Sequence, residues 1–536
     1  MIGQHMLMRC INGAYSSSKT AGFKTAAVSK SIAAMSSGAQ SELDREIIMN
    51  AAVPDALTVG GTPDNNRGIV HWIPYKDLIF LMRIRRVSDL CTYSGTVSFV
   101  QTYILSGSEK QVLLKYPELL TELERFDRYS EVDKRCGGLS GASPISVNEQ
   151  LDLLSDPPEF NSSCLEEAGF DRESFARLIS AVCVSICRNT YIDLIPKNVS
   201  PSDWQTEGGS LSGERLIAAI LRLLPDFLSA RLSCTSYWND DPEYSGLDGI
   251  KLRVLSGART DGLKKSYVSL YDLKNGDISD TNAEPGAFGR RLWELRNDRE
   301  GLEGFHAAID EVLGEKGGQM IKLPEVMDML TEAVMYREGR AVDHRGLLCR
   351  LLSNIGSSLP EFPELDRIAG ELINEAAADS SDVDEELEQL FLEMTEECGG
   401  SWSHSSGMAA CLLSRIERGI SASGTAERMA ELVPADDTVR REHERLMDRL
   451  VKTEKSDVSQ EFVRYLLALV PAAEKDRTIA PGLFELLDTI YSTLRNNGEL
   501  ERCIAICSYR IESSSDEGAV SKNEARLIGI IKDTAD

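Results

Sequence analysis

The chain has 536 residues, of which 42% are apolar and 27% are charged, and its formal net charge is −27. These proportions are typical of globular proteins, and one hydrophobic core stops growing near roughly 250 to 300 residues, so we expect two to four domains. The acidic excess repels phosphate backbones and anionic lipid headgroups, which argues against nucleic acid or a membrane surface as the partner.

The apolar runs of the sequence are short. One of the longest, residues 462–470, is far below the roughly 20 residues needed to cross a bilayer. The first thirty residues have scattered lysines and no continuous apolar segment of the kind found in secretory signals. Twelve cysteines at irregular spacing do not form a disulfide framework and fit a reducing compartment. We therefore expect a cytoplasmic protein.

Short runs of β-forming residues predict strands in the N-terminal part, at residues 6–9, 24–28, 69–73, 78–84 and 98–105. Ser41, followed by acidic residues, predicts the start of a helix, and a second helix is expected over residues 118–125. We interpret residues 1–131 as an N-terminal α+β domain. Clustered Gly, Ser and Pro then predict a linker or long loop over residues 132–160.

The middle part mixes helical and strand patterns. Apolar residues at helical spacing predict one helix around residues 178–187 and a long one over residues 216–228. Strands are predicted at residues 191–195, 231–237, 250–255 and 267–272. We interpret residues 161–287 as a middle α+β domain.

Beyond this point apolar residues repeat almost only at helical spacing. The helix-forming clusters begin at Val326, Leu347, Leu387, Phe462, Leu483 and Leu500. No fixed period of a standard helical repeat is present. Expected joints lie at residues 376–381, 399–407 and 421–424. Residues 288–536 are therefore predicted to be a helical C-terminal region, and the fold class is α+β, with two N-terminal α+β units followed by an all-helical array.

No motif in the sequence identifies a catalytic, cofactor or metal site. The glycine-rich segments lack the spacing of a nucleotide-binding P-loop, so the chain is not itself expected to be a GTPase or ATPase of that class. Ser140 lies in a segment one residue short of a nucleophile elbow and is interpreted as part of a flexible loop. His71, beside Trp72 and Tyr75, is the most interesting histidine, although a hydrogen-bonded structural role is the favoured interpretation.

Several cysteines could bind a metal, but core packing explains them better. Cys398, His404 and Cys411 offer three soft ligands where structural zinc needs four. Two pairs, Cys183 with Cys187 and Cys503 with Cys507, are four residues apart on the apolar faces of helices, where cysteine packs as a small hydrophobe.

The segment 382–397 is rich in carboxylates around apolar residues at helical spacing. This pattern predicts an amphipathic acidic helix. Its acidic face is either simply solvated or docks into a basic groove.

Three phrases occur in order in the first half of the chain. Residues 22–29 read Gly-Phe-Lys-Thr-Ala-Ala-Val-Ser, residues 93–105 form a strand-like run, and a Leu-Pro pair before residues 231–237 is followed by Ser-Cys-Thr-Ser-Tyr. Over residues 1 to about 240 this order resembles the N-terminal and middle domains of bacterial GTPase-associated proteins of the first type. Gln101 stands where that pattern often has His, and the Asp and Gly-Arg that precede the His are missing. Chemistry that depends on this His would be lost here.

The resemblance implies a component of a bacterial conflict or signalling system that acts beside a GTPase encoded as a separate chain. It implies no known reaction. Our leading hypothesis is a non-enzymatic adaptor or regulatory scaffold whose partner is a GTPase or its effector protein. The oligomeric state stays open. The alternative is an enzyme with an active site in the N-terminal domain that uses His71 or Cys91.

Overall fold

A computed structural model describes the backbone of most of the chain. The described residues are 3–10, 22–50, 69–88, 96–122, 139–142, 162–188, 192–195, 213–238, 250–255, 268–269, 284–314, 324–380, 383–452 and 458–476, with single positions 479, 483 and 486. They divide into two compact units. Unit 1 comprises Met1–Ala308 and Gly318–Thr331, and unit 2 comprises Ile309–Gly317 and Glu332–Asp536.

The described strands of unit 1 form one sheet. They are β1 (Gly3–Cys10), β2 (Gly22–Ser29), β3 (Ile69–Tyr75), β4 (Leu78–Ser88), β5 (Thr96–Leu105), β6 (Leu139–Ala142), β7 (Ile192–Ile195), β8 (Cys234–Trp238), β9 (Leu252–Leu255) and β10 (Val268–Ser269). Their order across the sheet is β10-β7-β9-β8-β3-β4-β5-β1-β2-β6.

The sheet has an antiparallel and a parallel part. Strands β3, β4, β5, β1 and β2 are antiparallel neighbours, whereas β10, β7, β9 and β8 run parallel to one another. The two parts meet where β3 pairs antiparallel with β8, with His71 opposite Thr235 and Trp72 opposite Cys234. Strands from the predicted N-terminal and middle domains therefore share one sheet, which corrects the expectation of two separate α+β units. The reason is a long-range pairing that leaves no local signal in the sequence.

Strand β4 is buried on both faces of the sheet, and its sequence shows why. Phe80, Leu81 and Met82 are successive residues, so they alternate between the two faces of the sheet, yet each is at most 2% exposed. A strand buried on both faces has a continuous apolar run instead of an alternating one. The predicted strands at 69–73 and 78–84 are confirmed.

One short strand lies inside the range predicted as linker. Residues Leu139–Ala142 form β6, which pairs parallel with β2 at the edge of the sheet. Ser, Gly and Ala have no strong preference for strands, so only the pairing with a distant strand reveals this element. The rest of the 132–160 range lies outside the described residues.

The described helices that precede residue 324 are α1 (Lys30–Ala33), α2 (Ser37–Asn50), α3 (Gly107–Lys115), α4 (Leu119–Glu122), α5 (Ser163–Glu167), α6 (Arg172–Arg188), α7 (Gly213–Leu223), α8 (Asp226–Ser229), α9 (Ala287–Leu295) and α10 (Arg299–Leu313). The long helix predicted over residues 216–228 is interrupted between α7 and α8 at Pro225, which lacks the amide hydrogen that a continuous helix needs. Helix α9 packs closely on α6, because Gly289 lies against the backbone of Ala176. Residues 287–308 consequently belong to unit 1, so the division falls later than the predicted start of the helical region at 288.

The described helices from residue 324 onward are α11 (Pro324–Arg337), α12 (His344–Asn354), α13 (Pro363–Ala378), α14 (Glu385–Cys398), α15 (Ser405–Arg418), α16 (Thr425–Leu432), α17 (Asp437–Lys452) and α18 (Gln460–Lys475), with 3-10 turns at Gly356–Glu361 and Gly399–Ser401. The prediction of a helical C-terminal part is confirmed for this range. Asp343, Asp384 and Ser459 each cap a helix by accepting a backbone N–H. The helix predicted at residues 483–490 is described only at the helical positions 483 and 486, and the helix predicted at residues 500–511 lies outside the described residues.

A buried ion pair joins three helices of unit 2. Glu388 of α14 is fully buried and Arg415 of α15 is 5% exposed, and the guanidinium Nε donates to the carboxylate at 2.7 Å. The other carboxylate oxygen accepts from the backbone N–H of Ala422 at 2.7 Å and from the hydroxyl of Thr425, in α16, at 2.6 Å. The remaining guanidinium nitrogens donate to backbone carbonyls at 2.7 and 2.8 Å. Both charges are thus hydrogen-bonded throughout, as burial requires.

Among the residues that the structure describes, no helix combines the length and apolar character that a bilayer-spanning segment needs.

Candidate functional site

His71 lies in the middle of the sheet of unit 1. It is fully buried on β3, between Met82 of β4 and Thr235 of β8 in register. Burial lowers the pKa of the imidazole to about 3, so the ring is neutral at physiological pH. Neither ring nitrogen has a hydrogen-bond partner within the described part of the chain. The expectation of a hydrogen-bonded structural histidine is therefore not met by these residues.

A second buried polar atom lies on the same face of the sheet. Thr102 of β5 is in register with Met82, which is in register with His71, and register partners project from the same face. Thr102 is fully buried, and its Oγ1 has no hydrogen-bond partner among the described residues. Two further buried polar residues, Thr235 and Arg253, continue the row across β8 and β9. This polar row (Thr102, His71, Thr235 and Arg253) is the candidate site.

Further hydrogen bonds, to α8 and β8, hold β3 in place. The indole of Trp72 donates to the carbonyl of Ser229 at 3.2 Å. The backbone N–H of Val70 donates to the hydroxyl of Ser236 at 2.9 Å, and that hydroxyl donates to Glu214 at 2.9 Å. These bonds fix β3 between β4 and β8 and so define the position from which His71 projects.

Gln101 also lies in this part of the sheet. It neighbours Thr102 in sequence, so its side chain projects from the opposite face. It is 2% exposed, and its amide donates to the hydroxyl of Tyr103 at 2.6 Å. The position where the resembled family often has a histidine therefore carries a neutral, hydrogen-bonded amide on the face away from His71.

The other residues considered from the sequence are spread over the fold. Cys91, Cys503 and Cys507 lie outside the described residues. Ser140 lies within β6. The described residues around it do not form the strand-to-helix turn that exposes the serine of a nucleophile elbow. Cys183 is buried and Cys187 is exposed, and burial raises the pKa of the Cys183 thiol well above its usual value.

The possible soft-ligand set in unit 2 is not assembled as a metal site. His404 faces Asp366 at 3.3 Å, and Trp402 donates to the same carboxylate at 2.7 Å. Cys411 is buried with its thiol 3.6 Å from the Ala376 carbonyl, and burial raises its pKa to about 12. Within the described ranges, no group of three His, Cys, Asp or Glu side chains could hold a metal ion.

One ionic cluster in unit 1 carries no signal in the sequence. Arg222 of α7 is 6% exposed, and its guanidinium donates to the carbonyl of Lys115 and, at 3.1 Å, to Glu303 of α10. Arg299 also donates to Glu303, at 3.1 Å, and both arginines lie over the ring of Tyr116. Such cation–π contacts stabilise by about 0.5 to 2 kcal/mol. The cluster ties α7 and α10 to the turn after α3.

Comparison with known proteins adds no assignment. No family model matches the chain. No curated protein sequence matches it either.

Proposed function

We propose that the protein is a non-enzymatic adaptor or regulatory scaffold of the cytoplasm that works with a separate GTPase or its effector protein. The GTPase is the partner that the sequence resemblance implies. The observation that supports a binding role is the packing of the helices of unit 2 on one another. Packed helices of this kind present outer faces that another protein can bind, as stacked helices do in many binding proteins.

The helices of this array pack on the next or the second-next helix in the chain. Helix α14 packs on α15, α15 packs on α17, and α16 packs on α18. Each contributes an apolar stripe to the interior, such as Val439, Leu446 and Leu450 of α17. Their outer faces carry mostly charged side chains, so a partner would be chosen mainly by charge.

Helix α14 carries an exposed acidic face. Glu386, Glu393 and Glu397 are exposed and project from the same side, because they lie seven and four residues apart. Within the described residues none of the three is in an ion pair, whereas Glu396 is paired with Arg428 at 2.6 Å. The proposal is that this acidic face contacts a basic surface of the partner.

The test is affinity purification of the tagged full-length chain from its host, with GTP or with GDP present, followed by mass spectrometry. Nucleotide-dependent recovery of a GTPase is the expected result. Recovery of the chain alone with both nucleotides would contradict the adaptor proposal.

A matched pair of variants locates the contact. The double variant Glu386→Lys, Glu393→Lys reverses the α14 face, and Glu444→Lys, Asp448→Lys reverses the same charge on exposed positions of α17. We expect the first to lose the partner and the second to keep it. If both variants recover the partner equally, the acidic face of α14 is not the contact, and the adaptor role still stands.

An enzymatic role is favoured by one observation only, the buried histidine with a lowered pKa and no described partner. A catalytic histidine must be reachable by substrate, and diethyl pyrocarbonate modifies neutral imidazoles that reagents can reach. Peptide mapping of the folded protein should show modification of His344, which is 50% exposed, as an internal reference. Modification of His71 at a comparable rate would favour the enzyme, and its protection would reject this role for His71.

A further inference from the structure

Three buried polar atoms on one face of the sheet lack partners in the described part of the chain. They are Nδ1 and Nε2 of His71 and Oγ1 of Thr102. Both residues are fully buried, and the residue between them in register, Met82, has no polar hydrogen to offer. Buried polar groups in native proteins are almost always hydrogen-bonded, to protein or to ordered water. An occupant is therefore needed on this face.

The chemistry of the row restricts that occupant. A neutral imidazole has one nitrogen that donates and one that accepts, and a threonine hydroxyl both donates and accepts. The groups without partners are all neutral, so a charged ligand bound by His71 and Thr102 alone would lose its hydration without a compensating charge at these two residues. A metal ion would need further ligands, and the described residues hold no group of three metal-ligating side chains. Small neutral molecules that both donate and accept hydrogen bonds match the chemistry of these groups.

We propose that His71 and Thr102 bind ordered water on this face of the sheet, so that the row contains a buried water site. Two strand spacings of about 4.8 Å separate their Cα atoms by roughly 9 to 10 Å. Two water molecules, each with two or more polar partners, can connect side chains over that span. The site holds the imidazole neutral and in one tautomer, whichever nitrogen carries the hydrogen.

The full-length chain labelled with ¹⁵N-histidine provides the test. The sequence has six histidines, and comparison with a His71→Gln variant assigns the His71 ring signals. We expect the ring N–H of His71 to exchange slowly with solvent and yet to show a nuclear Overhauser effect from water. A slowly exchanging N–H without any contact to water would mean a dry site and would overturn the proposal.

A variant series checks the role of the threonine. Thr102→Val removes the hydroxyl with little change of shape and should shift the His71 ring nitrogens, whereas Thr102→Ser should restore their positions. Thr331→Val is the control, because Thr331 is equally buried but donates to the carbonyl of Met327 at 2.8 Å. If Thr102→Val and Thr331→Val both leave the His71 signals unchanged, no water connects His71 with Thr102, and the proposal is overturned.

A crystal structure of the unaltered chain tests the proposal without any variant, so it remains decisive if a variant does not fold. The expected result is density for one water within hydrogen-bond distance of a His71 ring nitrogen and for a second, in contact with the first, within hydrogen-bond distance of Thr102 Oγ1. A side chain of this protein in the same place, or an ion or organic ligand, would overturn it.

Discussion

Replacing Glu388 by Gln should strongly destabilise unit 2. The carboxylate accepts three hydrogen bonds, from the Arg415 guanidinium, the Ala422 backbone and the Thr425 hydroxyl. A glutamine amide keeps the shape but has only one oxygen, so its NH₂ group would face a donor. It also leaves the guanidinium of Arg415, which is 5% exposed, without its counter-charge. Removal of one partner from a buried pair typically costs about 3 to 5 kcal/mol.

Urea denaturation of the full-length chain measures this loss. With a slope of about 2 kcal/mol/M, the midpoint of unit 2 should fall by about 1.5 to 2.5 M. The chain has two compact units, so the midpoint is read from a local probe, hydrogen exchange of peptides covering α14 to α16. Glu386→Gln, on the exposed side of the same helix, is the control and should change stability by at most about 0.5 kcal/mol. If both substitutions shift the midpoint equally, the buried network is not a major source of stability.

Three further predictions concern pH, packing and thiol reactivity. Burial lowers the pKa of His443 to about 4 in the folded chain. Because the unfolded chain protonates this residue near pH 6.5, stability should fall between about pH 6.5 and 4 by up to about 3 kcal/mol. Urea midpoints of the wild type and of His443→Gln across this range should differ in slope. Gly289→Ala would place a methyl group 2.6 Å from a backbone atom of α6 and should lower the thermal midpoint by an amount corresponding to about 1 to 3 kcal/mol, whereas Gly304→Ala, with open space around it, should not lower it. Iodoacetamide with peptide mapping should label the exposed Cys187 quickly and leave the buried Cys183 unmodified until the protein unfolds, and equal labelling of both thiols in the folded chain would contradict their described burial.

The elements that could be predicted from sequence are those with a local signal. Apolar runs located β3 and β4, and apolar residues at helical spacing located α11 and α12. Helix α17 was not predicted, because charged residues dominate its sequence and only a narrow stripe is buried. The short β6 was missed because its identity depends on pairing with β2, more than a hundred residues earlier.

The candidate site was only partly predictable for the same reason. His71 was chosen from the sequence because Trp72 and Tyr75 lie beside it. Its burial without a described hydrogen-bond partner depends on β4, β5 and β8, which come from other segments of the chain. The cluster of Arg222, Tyr116 and Arg299 joins residues as far as 183 positions apart. No spacing rule could have brought these side chains together, because long-range contacts are set by the whole fold and not by adjacent residues.

The pairing of β3 with β8 also sets an order of events during synthesis. The bond from Val70 to Ser236 spans 166 residues. At about 5 to 20 residues per second, a ribosome needs roughly 8 to 33 s to add them. During that interval the nascent chain can form the hairpin of β3 and β4, but the other edge of β3 is open to a neighbouring chain. An unpaired apolar edge of this kind is a site of misassembly, so cells that make this protein have a reason to shield it until β8 leaves the ribosome.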